Sequence, residues 1–180
     1  DIFTALFSED GLSYSNETPL GFPVDQNEIA WGVPDAVLMP DGLVRVYWVY
    51  TEDKTSDEKL VSATSKTTKG VEFVMDPGYR LENGYVDFEV IRAVEGDWKA
   101  LMSYTPHYMP EIPQSLFYAT SKDGLNWDLI EERITPKGYS YFDPTAIQID
   151  DKNFLVVGSA APNTLGAREH VLFAAELVLP

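Results

Sequence analysis

Three aspartates recur along the chain at a nearly fixed interval. Asp35 sits in Pro34-Asp35-Ala36-Val37, Asp87 in Val86-Asp87-Phe88-Glu89-Val90 and Asp143 in Phe142-Asp143-Pro144-Thr145, so they lie 52 and 56 residues apart. Glu89 follows Asp87 by two residues and shares a strand face with it. Converging carboxylates repel one another and the proton affinity of one rises. The set can then hold both an acid and a base at neutral pH. That chemistry requires equivalent strands that open around one axis. A plainer account also stands: an aspartate at a strand start satisfies backbone donors at a loop–strand corner.

The elements that must position these residues read as strands. No window carries a sustained helical apolar stripe, and prolines recur throughout. Short β-branched and aromatic runs at Val33–Met39, Leu43–Thr51, Leu60–Ser65 and Val71–Met75 are separated by turn residues. Pro40-Asp41-Gly42 closes the first pair, because Asp-Gly accepts the positive φ of a tight hairpin. A second marker repeats in Ser8-Glu9-Asp10-Gly11-Leu12-Ser13-Tyr14, in Ser65 to Phe73, and in Ser121-Lys122-Asp123-Gly124-Leu125-Asn126-Trp127. Its glycines, 11, 70 and 124, are 59 and 54 residues apart. Two independent markers at one period near 55 predict an all-β fold, a β-propeller of four-stranded blades.

The pattern supplies about three and a half blades. The first is a half-blade from Ile2–Phe7 and the chain from Tyr14 onward; the last has strands at Asp143–Ile149, Asn153–Gly158 and His170–Leu179. A closed propeller needs at least four blades. Residues 1–180 are therefore expected to form one propeller domain, either truncated or completed by a homo-oligomer. Tight turns gather on one face, and the long connections Glu52–Glu58, Pro106–Gln114 and Ser159–Glu169 gather on the other, where binding sites concentrate.

That loop face carries the remaining candidates. His107, Tyr108, Arg168 and His170 are expected near a ligand, with surface histidines as the alternative. Trp31, Tyr85 and Tyr141 are candidate platforms for sugar rings, or else packing between blades. Trp127, Phe73 and Tyr14 are expected in the inter-blade core. Oxygen ligands for Ca²⁺ are plentiful but show no calcium-loop spacing, so no cofactor and no metal is expected. Asn16-Glu17-Thr18 matches a glycosylation acceptor.

Composition limits the partners. The 180 residues carry 13 Lys+Arg against 29 Asp+Glu, a net charge of −16. Such a surface repels phosphate backbones and anionic lipid, which argues against nucleic-acid and membrane-surface roles. There is no run of ~18 apolar residues. Cysteine is absent, which removes disulfides, thiolate metal sites and cysteine nucleophiles.

The hairpins ATSKDGLNW and LFSEDGLSY and the strand start YFDPTAIQID resemble the five-bladed β-propeller glycosidase superfamily. That group includes the arabinanases and xylosidases of glycoside hydrolase family 43 and the invertase-type fructosidases of family 32. The resemblance implies a glycoside hydrolase-like propeller that binds, and as an enzyme hydrolyses, a carbohydrate at an axial acidic funnel, in a secreted or periplasmic setting. It further implies three cooperating carboxylates: an Asp base or nucleophile, an Asp that tunes and orients, and a Glu acid. In one register Asp35 and Asp87 take the first two roles and Asp143 stands where the Glu belongs. In another, Asp35 is the tuning residue, Glu89 (or Asp87) the acid, and the first carboxylate lies outside the chain. The alternative function is a non-catalytic carbohydrate-binding or protein-interaction propeller, a partial homologue without a complete catalytic set.

Overall fold

The computed structural model describes residues 4–20, 22, 29–51, 57–104, 114–162 and 169–179, with the side chains of 29–32 left aside. All of its regular elements are strands: β1 (Thr4–Phe7), β2 (Ser15–Pro19), β3 (Ile29–Leu38), β4 (Val44–Thr51), β5 (Lys59–Ser65), β6 (Phe73–Met75), β7 (Tyr85–Val94), β8 (Asp97–Tyr104), β9 (Ser115–Ser121), β10 (Trp127–Ile130), β11 (Tyr139–Gln148), β12 (Asn153–Pro162) and β13 (Val171–Val178). They form antiparallel sheets in chain order: β1–β2, β3 to β6, β7 to β10, and β11 to β13. This is a partial propeller, two four-stranded sheets flanked by sheets of two and three strands. Among the described residues no helix is long and apolar enough to cross a membrane.

Tight turns set the strand order as their sequences require. Gly42 has φ +84° and donates its N–H to Met39 O, while Asp41 Oδ1 accepts Leu43 N–H at 3.0 Å. Gly124 has φ +70° in the β9–β10 turn, where Asp123 Oδ1 accepts the N–H groups of Leu125 and Asn126 at 2.8 and 2.9 Å. Asp10 repeats this on Leu12 and Ser13. The turn aspartates replace backbone partners that a two-residue reversal cannot supply.

Successive sheets pack face to face, which explains why β4 and β8 are apolar on both faces. Val37, Tyr47 and Leu60 of one sheet meet Phe88, Trp98 and Met102 of the next. Ile91 and Leu101 then meet Phe154, Val156 and Leu179. The β1–β2 pair covers Val46, Trp48 and Phe73 from the other side through Leu20, Ala5 and Phe22. Trp127 stands edge-on to Phe88 with ring centroids 5.1 Å apart, a geometry worth ~0.5–1.5 kcal/mol beyond its burial.

The turn of the third sheet is gripped by the second. Arg45 Nη1 donates to Asp123 O at 2.7 Å, Tyr47 Oη to Gly124 O at 2.7 Å, and Arg80 Nη1 to Leu125 O at 2.9 Å. Arg45 Nε is also 3.2 Å from Asp76 Oδ2. Hence three consecutive carbonyls of one sheet are held by side chains of its neighbour.

Some expectations need correction. Strand β3 begins at Ile29 rather than Val33, and β6 is confined to Phe73–Met75. Phe73 and Trp127 join the packing between sheets, but Tyr14 is 60% exposed and its hydroxyl donates to Gly11 O within its own turn. Its hairpin is at the end of the row, where no described sheet covers it. At the other end Ile147, Leu155, Leu172 and Val178 share one exposed face of the β11–β13 sheet.

Candidate functional site

The first strands of three successive sheets lie side by side, with β7 between β3 and β11. Each breaks its pairing at the same place. Register shifts fall between Gly32 and Asp35, between Val86 and Glu89, and between Phe142 and Thr145. The first residue of each bulge has positive φ: Val33 at 51°, Asp87 at 49° and Asp143 at 48°. Aspartate tolerates this region better than most residues, and a β-branched valine there is strained. Bulges and strained backbone of this kind concentrate at functional sites.

The bulges correct the alignment read from the repeated aspartates. Asp87 and Asp143 are equivalent to Val33, whereas Asp35 is equivalent to Glu89 and Thr145. The acidic residues therefore fall into two layers one step apart, not one layer of three aspartates. Pairing by residue type missed this, because a bulge shifts the partner without changing the letter pattern.

Bonds between neighbouring strands tie the layers together. Asp35 Oδ2 accepts Val90 N–H at 2.8 Å, Asp87 Oδ2 accepts Asp143 N–H at 3.3 Å, and Glu89 Oε1 accepts the Thr145 hydroxyl at 2.8 Å. Burial and then the Glu89 charge push the Asp35 carboxyl up to about 7, against the opposing Val90 bond. Burial also raises Glu89, which Thr145 partly offsets. For Asp87 burial again leads, followed by the Asp143 charge; the Asp143 N–H and the Ser103 hydroxyl oppose, and Glu58 adds to the rise. Asp143 is itself exposed. Desolvated neighbouring acids on one strand row can keep a proton where solvated carboxyls would lose it.

The other predicted residues are only partly placed. His107, Tyr108 and Arg168 lie outside the described residues, as does the side chain of Trp31. His170 is exposed, and its ring is 5.1 Å from that of Phe142, the residue before Asp143. Tyr85 stacks on Tyr104 at 4.5 Å, and Tyr141 packs edge-on against Phe173 at 5.4 Å, so both rings serve packing. Among the described residues no group of three or more His, Cys, Asp or Glu is arranged to hold a metal ion.

Sequence reasoning missed Thr145, Ser103 and Glu58. Thr145 follows Asp143 by two residues, as Glu89 follows Asp87, and that spacing was the available signal. Ser103 sits in an ordinary strand run. Glu58 closes the long Glu52–Glu58 connection, whose residue types do not tell a buried carboxyl from a solvated one.

No protein-family model and no curated protein matches the chain. Solved structures do resemble it. A thermostable family-43 glycoside hydrolase aligns over 93% of this chain and 60% of its own, with TM-score 0.65 and 16% identity. Zg3597, a family 117 glycoside hydrolase of the marine bacterium Zobellia galactanivorans, aligns over 86% and 55%, with TM-score 0.62 and 13% identity. An α-L-arabinanase of Penicillium chrysogenum, complexed with arabinobiose, aligns over 90% and 49%, with TM-score 0.55 and 12% identity. The chain thus spans about half to three-fifths of the length of these proteins. It has the fold of the β-propeller glycoside hydrolases, in partial form.

Proposed function

We propose that the chain carries a glycoside hydrolase-like site, an acidic funnel that binds carbohydrate and cleaves a glycosidic bond. One observation supports this above the others: the same strained bulge recurs on β3, β7 and β11, and four carboxylates stand at it or next to it. Asp35 and Glu89 act as a coupled pair that retains one proton to about pH 7. That proton passes to the leaving oxygen as the carbon–oxygen bond breaks. Asp87, beside the exposed Asp143, takes a proton from the water that attacks the anomeric carbon, or attacks that carbon itself.

His170, close to Asp143, and the loop residues His107, Tyr108, Arg168 and Trp31 belong to the same reading as contacts to the sugar. So do the secreted or periplasmic setting and the homo-oligomer, in which a second copy covers the Ile147–Leu155–Leu172–Val178 face. A stable monomer in light scattering would remove that last element. Nucleic acid, membrane and Ca²⁺ have no part in the proposal.

The test is release of reducing sugar from a panel of neutral oligosaccharides and aryl glycosides. Turnover lost in Asp35→Asn and Asp87→Asn, with circular dichroism unchanged, supports hydrolysis. Carbohydrate affinity without turnover points instead to a binding module, and neither binding nor turnover rejects the assignment.

A further inference from the structure

One fully buried hydroxyl stands where two of the acid-bearing strands meet. Ser103 of β8 is 0% exposed, in a run where Leu101 and Met102 are just as buried. It pairs with Val86, the residue before Asp87, and its Oγ donates to Tyr141 O of β11 at 3.0 Å. A hydroxyl is costly to bury unless it is bonded, so a purely packing position would favour an apolar residue.

The serine also belongs to a pattern. Opposite the residue that precedes each bulge stand Val49, Ser103 and Ser159. The two serines accompany the bulges that open on Asp87 and Asp143, and the valine accompanies the bulge that opens on Val33. A hydroxyl thus goes with an acid, and an apolar side chain with an apolar one.

The Ser103 bond is one of several that stitch β11 to its neighbours. Gln114, just before β9, donates its N–H to Ser140 Oγ at 3.2 Å and accepts Tyr141 N–H through its carbonyl at 2.9 Å. Asp143 N–H then reaches Asp87 Oδ2 at 3.3 Å. Both backbone polar groups of Tyr141 are therefore bonded to the preceding sheet or to the residue leading into it, two positions before the strained Asp143. Backbone in such a conformation persists only where its surroundings over-determine it.

We infer that Ser103 is a positioning residue for the proposed site: its hydroxyl pins the Tyr141 carbonyl so that β11 presents the Asp143 N–H to the Asp87 carboxylate. The role rests on the glycosidase reading for its purpose, while its test needs no turnover. Asp87 is acted on from three elements, by Asp143 of β11, Ser103 of β8 and Glu58 before β5, and the Asp143 N–H and the Ser103 hydroxyl both favour its ionised form. Removing the hydroxyl deletes one of these donors and loosens the other, so Asp87 holds its proton to higher pH.

The decisive measurement is the ¹³C NMR titration of the Asp87 carboxyl carbon on the intact chain, read together with the Asp143 amide. In Ser103→Ala the Asp87 midpoint rises by about 0.5–1 pH unit, and the Asp143 amide proton loses roughly half or more of the shift with which it follows that titration. Ser121→Ala removes another buried hydroxyl, in the β9–β10 turn, and leaves both readings unmoved. An unchanged midpoint in a folded Ser103→Ala protein overturns the inference. Should that variant not fold, the parent decides. A Ser103 hydroxyl proton that resists exchange with water and shifts as Asp87 ionises supports the proposal, and one that exchanges freely or ignores Asp87 overturns it. Loss of turnover in Asp35→Asn with an unmoved Asp87 midpoint in Ser103→Ala would leave the glycosidase reading standing and remove Ser103 alone. A raised midpoint in a chain that hydrolyses nothing would do the reverse.

Discussion

Asp35 of β3 accepts the backbone N–H of Val90 of β7 through Oδ2 at 2.8 Å, so one candidate acid is also a strut between two sheets. Burial holds its carboxyl at about 7 in the folded protein, well above the ordinary aspartate value of 3.8. Below pH ~4 both states are protonated and the group costs nothing. As pH rises towards 7 the unfolded chain ionises first, so stability is progressively lost, and the loss is complete above that. Asp35→Asn keeps an acceptor for Val90 and removes the ionisation. It should therefore be more stable than the parent at pH 8 by roughly 2–4 kcal/mol and equal to it near pH 3. Urea unfolding at the two pH values checks this, and equal gains at both would contradict it.

The bond from the Thr145 hydroxyl to Glu89 lowers the proton affinity that burial raises. Thr145→Val should consequently move the Glu89 midpoint upward, by about half a pH unit or more. A ¹³C titration of the Glu89 carboxyl reads the change directly. In an active chain the same substitution would shift the pH profile of kcat/KM.

Two glycines at equivalent turns give a matched test of what holds the third sheet. A Cβ at Gly124 would come within 2.7 Å of Arg45 Nη1, 2.7 Å of Tyr47 Oη and 2.8 Å of Trp98 Cζ3, whereas at Gly11 it would meet nothing within 4 Å. Both positions have positive φ. Gly11→Ala should cost only the backbone strain, ~1–2 kcal/mol, while Gly124→Ala adds overpacking of ~1–3 kcal/mol. Thermal melts should place Gly124→Ala clearly lower; equal melting temperatures would show that the sheets are not closely packed there.

Arg45 is 6% exposed and joins Asp76, Thr64 Oγ1 and Asp123 O. Arg45→Met fills much of the space but leaves the largely buried Asp76 carboxylate, which the Ser62 and Thr64 hydroxyls also bond, without its Arg45 cation. A destabilisation of ~3 kcal/mol follows from the unpaired charge. Asp76→Asn in the same background should recover part of it, a double-mutant cycle that isolates the pair.

The sequence made the repeat visible because it is written in residues with few substitutes. Positive-φ glycines and turn aspartates, as in Asp123-Gly124 and Asp10-Gly11, recur wherever that reversal recurs. The registration of the acids was less legible. Asp35 looks like the counterpart of Asp87, yet the backbone places Val33 there, and only the φ angle and the pairing reveal it. Tyr85 and Tyr141 illustrate a second limit: an aromatic at a sheet boundary looks the same in sequence whether it packs or binds. Glu58 lies at the end of the long Glu52–Glu58 connection, but nothing in the sequence singles it out, since its burial is created by a clamp between segments 20 or more residues apart.

The grip of Arg45, Tyr47 and Arg80 on the Asp123–Leu125 carbonyls also determines the order in which the molecule comes apart. The β3–β6 and β7–β10 sheets share that latch and their largest core, so neither can open without exposing both, and they form one cooperative unit. The β1–β2 hairpin is exposed along most of its length and depends on a few contacts, so it opens locally at far lower free energy. In amide hydrogen exchange the central sheets should vanish together and last, with the hairpin long gone before them. Two of the three strands that carry the candidate acids are thus built into the part of the chain that yields last.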